Sequence, residues 1–163
     1  MLRFLLGEVT EVQAMDSRAV RGFEVEDTAA AVLRFASGAL ATVIVSDAAT
    51  SPWCWDMCAG EQGQYPRQDV ASHQIIGTHG SLSLPDLGLW QYRGPRGWHD
   101  ELSHEETRVH AADPYTRQLE HFAAVIAGQA EPLCSAPDGL RTLAATLAVH
   151  EAAVKGQTIH LEH

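Results

Sequence analysis

The sequence predicts an α+β fold, a mainly antiparallel open sheet with helices packed on one face. Three observations predict it: alternating β-rich runs fill the first half, amphipathic helical runs fill the last third, and no βαβ alternation joins them. The 163 residues suit one domain and are too few for a dinucleotide-binding domain plus a full substrate domain. Residues 1–160 are therefore read as a single domain. Leu161-Glu162-His163 reads as the scar of an expression tag.

Leu2 to Leu6 reads as the cut end of a helix closed by Gly7. Glu8 to Met15 carries Val9, Val12 and Met15 among polar residues, a weak strand signal that leaves its pairing open. From Thr28 to Ala36 the alternation is clear, with Ala29, Ala31, Leu33 and Phe35 on one face and Thr28, Ala30, Val32 and Arg34 on the other. Ser37-Gly38 supplies a turn, and the β-rich run from Ala39 to Asp47 completes a hairpin. Between Ala48 and Arg108 the chain is rich in Gly, Pro and aromatic residues. Short strands are expected at His73 to Ile76, Ser81 to Leu84 and Leu89 to Tyr92, joined by Gly77-Thr78-His79-Gly80 and by the turn from Pro85 to Gly88.

Asp113-Pro114 starts the first long helix, because Asp accepts at the N-cap and Pro lacks an N–H that would have no partner there. Tyr115, Leu119, Phe122 and Ile126 form its apolar stripe, and Gly128 ends it. A second helix starts near Pro137-Asp138, with Leu140, Leu143, Leu147 and Val154 on a stripe flanked by Ala144, Ala145, Ala148 and Ala152. It ends at Lys155-Gly156, where a cation and a left-handed glycine suit the C-terminus. Thr158 to Leu161 is read as a closing edge strand.

Composition excludes several function classes. Twenty-one acidic residues against 11 Lys and Arg give a net charge of −10, without a basic cluster, which argues against nucleic acid and anionic membrane as partners. No apolar run reaches the roughly 18–20 residues of a membrane helix, and the N-terminus does not read as a signal peptide. Three cysteines suggest reduced thiols and a cytoplasmic setting.

Candidate chemistry is sparse. The Gly77 to Gly80 segment is followed by a strand, so it reads as a hairpin turn and not as a phosphate loop. His99, His104 and His110, among Asp100, Glu101, Glu105 and Glu106, could hold a metal in a hydrolase, yet their spacing fits no zinc pattern and a solvated acidic segment is the reading adopted. Cys54 and Cys58 have the wrong gap for a zinc or redox pair. His121 and His150 read as ordinary helix residues. No nucleophile elbow or triad order is present. No catalytic, cofactor-binding or metal-ligating residue is therefore assigned. The aromatic loop from Ser51 to Tyr65 suits the wall of a small-molecule pocket; Trp53 and Trp55 from it, with Tyr115 at a helix start, are the substrate-pocket candidates.

Glu26-Asp27-Thr28 leading into Val32-Leu33-Arg34-Phe35-x-x-Gly38-Ala39, then Ile76-Gly77-Thr78-x-Gly80-Ser81-Leu82, then Gln118-x-x-His121-Phe122 with Pro132 and Asp138-Gly139-Leu140, resembles the C-terminal domain of the Gfo/Idh/MocA family of NAD(P)-dependent oxidoreductases. The resemblance covers nearly the whole chain. It implies a dihydrodipicolinate reductase-like C-terminal domain that binds a sugar, polyol or related hydroxy compound and forms a homodimer or higher homo-oligomer. It also implies, as partner, an N-terminal Rossmann domain that holds NAD or NADP. The family's nucleotide-binding glycines, the Lys of its Glu-Lys-Pro segment and an Asp and His of its substrate site would all precede Met1, so none is carried onto this chain, and the isolated chain is expected to hold no cofactor and to be inactive. A free-standing module that binds a small ligand or a partner without catalysis is the alternative.

Overall fold

The structure, a computed structural model, describes residues 1–107 and 112–162. The chain divides into two compact units, one made of Met1–Ala49 with the chain from Pro132 onward, the other of Thr50–Glu131. The strands divide the same way, into two antiparallel four-stranded sheets, one in each unit.

The first unit contains α1 (Leu2–Leu6), β1 (Val9–Ser17), β2 (Thr28–Phe35) and β3 (Leu40–Ser46). The second contains α2 (Trp55–Ala59), β4 (His73–Ile76), β5 (Ser81–Leu84), β6 (Gly88–Tyr92), β7 (Leu102–Glu106) and α3 (Pro114–Ile126). The chain then returns to the first unit for α4 (Ala136–Lys155) and β8 (Ile159–His160).

The first sheet has the order β3-β2-β1-β8. The alternation read in β2 is the burial pattern observed: Ala31, Leu33 and Phe35 are buried while Ala30, Val32 and Arg34 are exposed. Opposite them, Val43 pairs with Ala31 and Ala41 with Leu33, and Gly38 at φ 85° supplies the left-handed turn between the two strands. β1, the strand whose pairing the pattern left open, is central, joined to β2 on one side and to β8 on the other, with an irregularity between Val9 and Glu11. Val9, Val12, Ala31, Leu33 and Phe35 meet Ala148 and Ala152 of α4 in the core, and Leu2 and Leu6 of α1 pack on its margin.

Two expectations are corrected here. The helices on this sheet face are α4 and α1, whereas α3 belongs to the second unit and its stripe of Tyr115, Leu119, Phe122 and Ile126 is exposed. Within α4 the large stripe Leu140, Leu143, Leu147 and Val154 is also exposed, and Ala145, Ala148 and Ala152 face the sheet. Small side chains let the helix axis lie close to the strands, so close approach and not side-chain size selects the buried face. α4 is capped as its sequence requires, by Ser135 accepting from the Asp138 N–H and by Gly156 at φ 61°.

Arg3 ties α1 to α4. Its guanidinium donates to both Glu8 carboxylate oxygens at 2.7 and 2.8 Å and to the Asp138 carbonyl and Thr142 Oγ1 at 2.9 and 2.6 Å. These carboxylates raise the Arg3 pKa further, while Arg3 in turn holds the Asp138 carboxyl below the usual range. Asp27, 5% exposed, fixes the loop before β2: its Oδ2 accepts from the Val20 and Arg21 N–H groups at 3.0 Å and its Oδ1 from the Thr28 hydroxyl. Those bonds, led by the one from Arg21, hold its carboxyl below the usual range.

In the second unit β4, β5, β6 and β7 form a meander. β4 and β5 match their predicted bounds, and the Gly77 N–H donates to the Gly80 carbonyl across the hairpin. The acidic segment read as solvated contains β7, an edge strand with Ser103 buried and Leu102, His104, Glu105 and Glu106 exposed. Backbone pairing to β6, with Ser103 Oγ donating to the Gln91 carbonyl, holds it in place. Among the described residues no helix is long and apolar enough to cross a membrane.

Candidate functional site

The aromatic loop is organised by the short helix α2. Its C-cap, Gly60, takes the left-handed conformation at φ 66° and turns the chain back, so that Trp55 Nε1 donates to Glu61 Oε2 at 3.0 Å. The Trp55 ring is half-buried and meets the His73 ring edge-on, with centroids 5.8 Å apart. Gln62 reaches Asp56 Oδ1 at 3.4 Å and the Tyr115 hydroxyl at 3.5 Å. Tyr115 stands in the first turn of α3, where Asp113 accepts from the Tyr115 N–H and from the Thr116 hydroxyl. These bonds, the Thr116 one foremost, hold the Asp113 carboxyl below its ordinary range.

Of the three pocket candidates, Trp55 is thus bonded to Glu61, and Tyr115 is bridged through Gln62 to Asp56, the chain neighbour of Trp55. Trp53 is 63% exposed, and of its polar groups the backbone N–H bonds to Ser51. Trp55, Tyr115 and these partners offer a flat ring with carboxylate, amide and phenol groups, a set that suits hydroxyl-bearing ligands. His73 and Gln62 were not among the sequence candidates. His73 pairs Nδ1 with Ser72 Oγ at 2.9 Å, and burial lowers its pKa. Cys58 is buried, with its thiol on the Pro52 carbonyl, and burial raises its pKa, so it rests as the neutral thiol. Cys54, Cys58 and Cys134 are all free.

The histidine segment does not converge. His104 stacks on Trp90 with centroids 4.2 Å apart, neither His99 nor His104 belongs to a group of three metal-capable side chains among the described residues, and His110 lies outside the described residues.

In the first unit the face of the sheet that carries α4 retains a recess of about 440 Å³. Ala31, Leu33, Val43, Val45, Ala145 and Val149 give it an apolar floor and wall. Asp16, Glu26 and His150 also line it, and their ligating atoms lie within 4.8 Å of one another. No local sequence signal marks this group, because its members come from β1, the loop before β2 and the middle of α4. On the opposite face of the sheet Met15, Ala30, Val32 and Ile44 are exposed.

Comparison with known proteins gives this architecture its context. The chain is similar to a solved oxidoreductase from Agrobacterium radiobacter in complex with NAD+, L-tartaric acid and magnesium, at 23% identity and a TM-score of 0.65, over 98% of this chain and 45% of that one. It is similar to the WlbA dehydrogenase from Bordetella pertussis in complex with NADH and UDP-GlcNAcA, at 22% identity and 0.65, over 99% and 41%. The aldose-aldose oxidoreductase from Caulobacter crescentus complexed with glycerol aligns at 22% identity and 0.67, over 98% and 43%. The chain therefore spans less than half the length of each of these structures, and at such identities they show the fold. No curated protein sequence matches it. The family model described as the oxidoreductase family, C-terminal alpha/beta domain, matches residues 1–161, and the chain belongs to that Gfo/Idh/MocA family.

Proposed function

We propose that this chain is the substrate-binding and oligomerisation domain of an NAD(P)-dependent dehydrogenase acting on a sugar, polyol or related small hydroxy compound. The family match over residues 1–161 carries the reading. It is supported by the similar structures solved in complex with NAD+ or with NADH and UDP-GlcNAcA, and by the fraction of those chains that this one covers. In this reading residues 1–160 act as one domain in the cytoplasm, an N-terminal Rossmann domain of the same protein holds NAD or NADP, and Trp53, Trp55 and Tyr115 contribute to the substrate wall.

Hydride transfer needs the nicotinamide held against the carbinol carbon with a proton acceptor beside it. In this reading the Rossmann domain holds the nicotinamide, and the chain by itself is expected to be inactive. Calorimetry with NADH tests this: no saturable heat is expected from the 163-residue chain, and binding near micromolar would overturn the reading.

Oligomerisation rests on the open face of the first sheet. Met15 and Ile44 are each more than three-quarters exposed there and Val32 nearly half, an apolar surface that a second copy of the chain would cover. Light scattering at tens of micromolar, taking micromolar affinity as the order of magnitude, is expected to give at least a dimer. Ile44→Lys is expected to give a folded monomer with unchanged far-UV circular dichroism and a lower Tm, because association no longer stabilises the fold. A monomeric mass for the unaltered chain would refute this part.

A further inference from the structure

We propose that Asp16, Glu26 and His150 form a binding site for a divalent transition-metal ion of the zinc type, a reading independent of the dehydrogenase assignment. The group brings two carboxylates and one imidazole together from three separate segments, each offering one ligand atom, with all three atoms within 4.8 Å of one another. None of the three side chains enters a hydrogen bond or ion pair with another described residue. Six other carboxylates of the unit do have such partners: Glu8 and Asp138 share Arg3, Glu11 has Arg34, Glu151 has Lys155, Asp47 has Arg21, and Asp27 has two backbone N–H groups. Two adjacent carboxylates without a cation repel each other, and an ion between them removes that repulsion.

The dimensions fit. An ion at the centre of a triangle with 4.8 Å sides would sit about 2.8 Å from each corner, so an inward shift of about 0.7 Å per ligand reaches the roughly 2.0–2.2 Å of zinc bonds to nitrogen and carboxylate oxygen. All three side chains are exposed and unpaired, so such a shift is a small torsional adjustment that breaks no other bond. The imidazole nitrogen selects the class of ion, because magnesium and calcium prefer oxygen-only shells of six or more ligands. Three protein ligands leave coordination positions for water or for a ligand seated in the apolar recess that these residues line.

Calorimetric titration of the 163-residue chain with zinc chloride alone, in a buffer that does not chelate, tests the site. One equivalent is expected to bind with a Kd on the order of 10 µM. Asp16→Asn and His150→Gln are each expected to weaken it about tenfold or more, with far-UV circular dichroism and Tm unchanged because both positions are exposed. The variants also separate this site from other histidines, His160 among them. No stoichiometric zinc binding, affinity retained in either variant, or equal affinity for magnesium would overturn the proposal.

Discussion

Leu33 and Leu147 are chemically identical and differ in burial, so truncating each to alanine tests which face of α4 the sheet covers. Leu33 is 7% exposed at the centre of β2, whereas Leu147 is 59% exposed on α4. Leu→Ala removes three carbon groups, and at about 0.8 kcal/mol for each buried methylene the transfer cost at Leu33 is about 2–3 kcal/mol. Leu33 already borders the recess of about 440 Å³, so the truncation enlarges an open space and does not create a closed cavity; the total should lie near the lower end of the range for buried leucines. At Leu147 only about two-fifths of the side chain is covered, giving a cost of about 1 kcal/mol that the better helix propensity of alanine partly offsets. The expected difference is therefore about 2 kcal/mol, read from urea titrations followed by circular dichroism at 222 nm. It corresponds to about 4–8 °C in Tm for a chain of this length. Equal costs for Leu33→Ala and Leu147→Ala, within about 0.5 kcal/mol, would refute the placement of α4 on its alanine face.

Other predictions follow from the same contacts. Ala148→Leu pushes a larger side chain between α4 and the sheet and is expected to cost about 1–3 kcal/mol by urea titration; a neutral result would mean that the helix is not held close. Asp27, Asp113 and Asp138 all have lowered pKa values in the fold, so they stabilise it at neutral pH, and that contribution is lost as the pH falls below the ordinary aspartate range, below about pH 4. Tm measured from pH 7 downward should show that acid limb, and Asp27→Asn should flatten it; an unchanged limb would show that the Asp27 bonds are not formed. Asp113→Ala removes the N-cap of α3 and should lower helix content by circular dichroism, whereas Asp113→Asn, which keeps an acceptor, should retain it.

Sequence pattern and fold agree most closely where one local rule determines the outcome. Thr28 to Phe35 alternates because one face is buried, Gly38 turns the hairpin because it can take positive φ, and Asp113-Pro114 starts α3 because cap and helix start coincide there. Where partners are distant in the chain the pattern is silent. β1 is central through neighbours that its own residues do not encode, and β7 forms from the charged sequence Leu102 to Glu106 because backbone bonds to β6 are available whatever the side chains. The leucine stripe of α4 misleads for another reason: hydrophobic size marks a face as apolar, yet backbone approach requires small residues. The aromatic residues Trp53, Trp55 and Tyr115 stand out in the composition, but the bridge from Asp56 through Gln62 to Tyr115 is not legible in the sequence, since it spans more than 50 residues of chain.

The aromatic loop has a spectroscopic consequence. All four tryptophans, Trp53, Trp55, Trp90 and Trp98, lie in Thr50–Glu131, while the longest helix, α4, belongs to the other unit. Intrinsic fluorescence is thus a reporter of one unit alone, with Trp55 and Trp90 next to histidine rings that quench when protonated and Trp98 in full contact with solvent. Indole fluorescence follows that unit alone whereas ellipticity also includes α4 of the other, so overlaying the two unfolding curves measures how cooperatively one polypeptide melts.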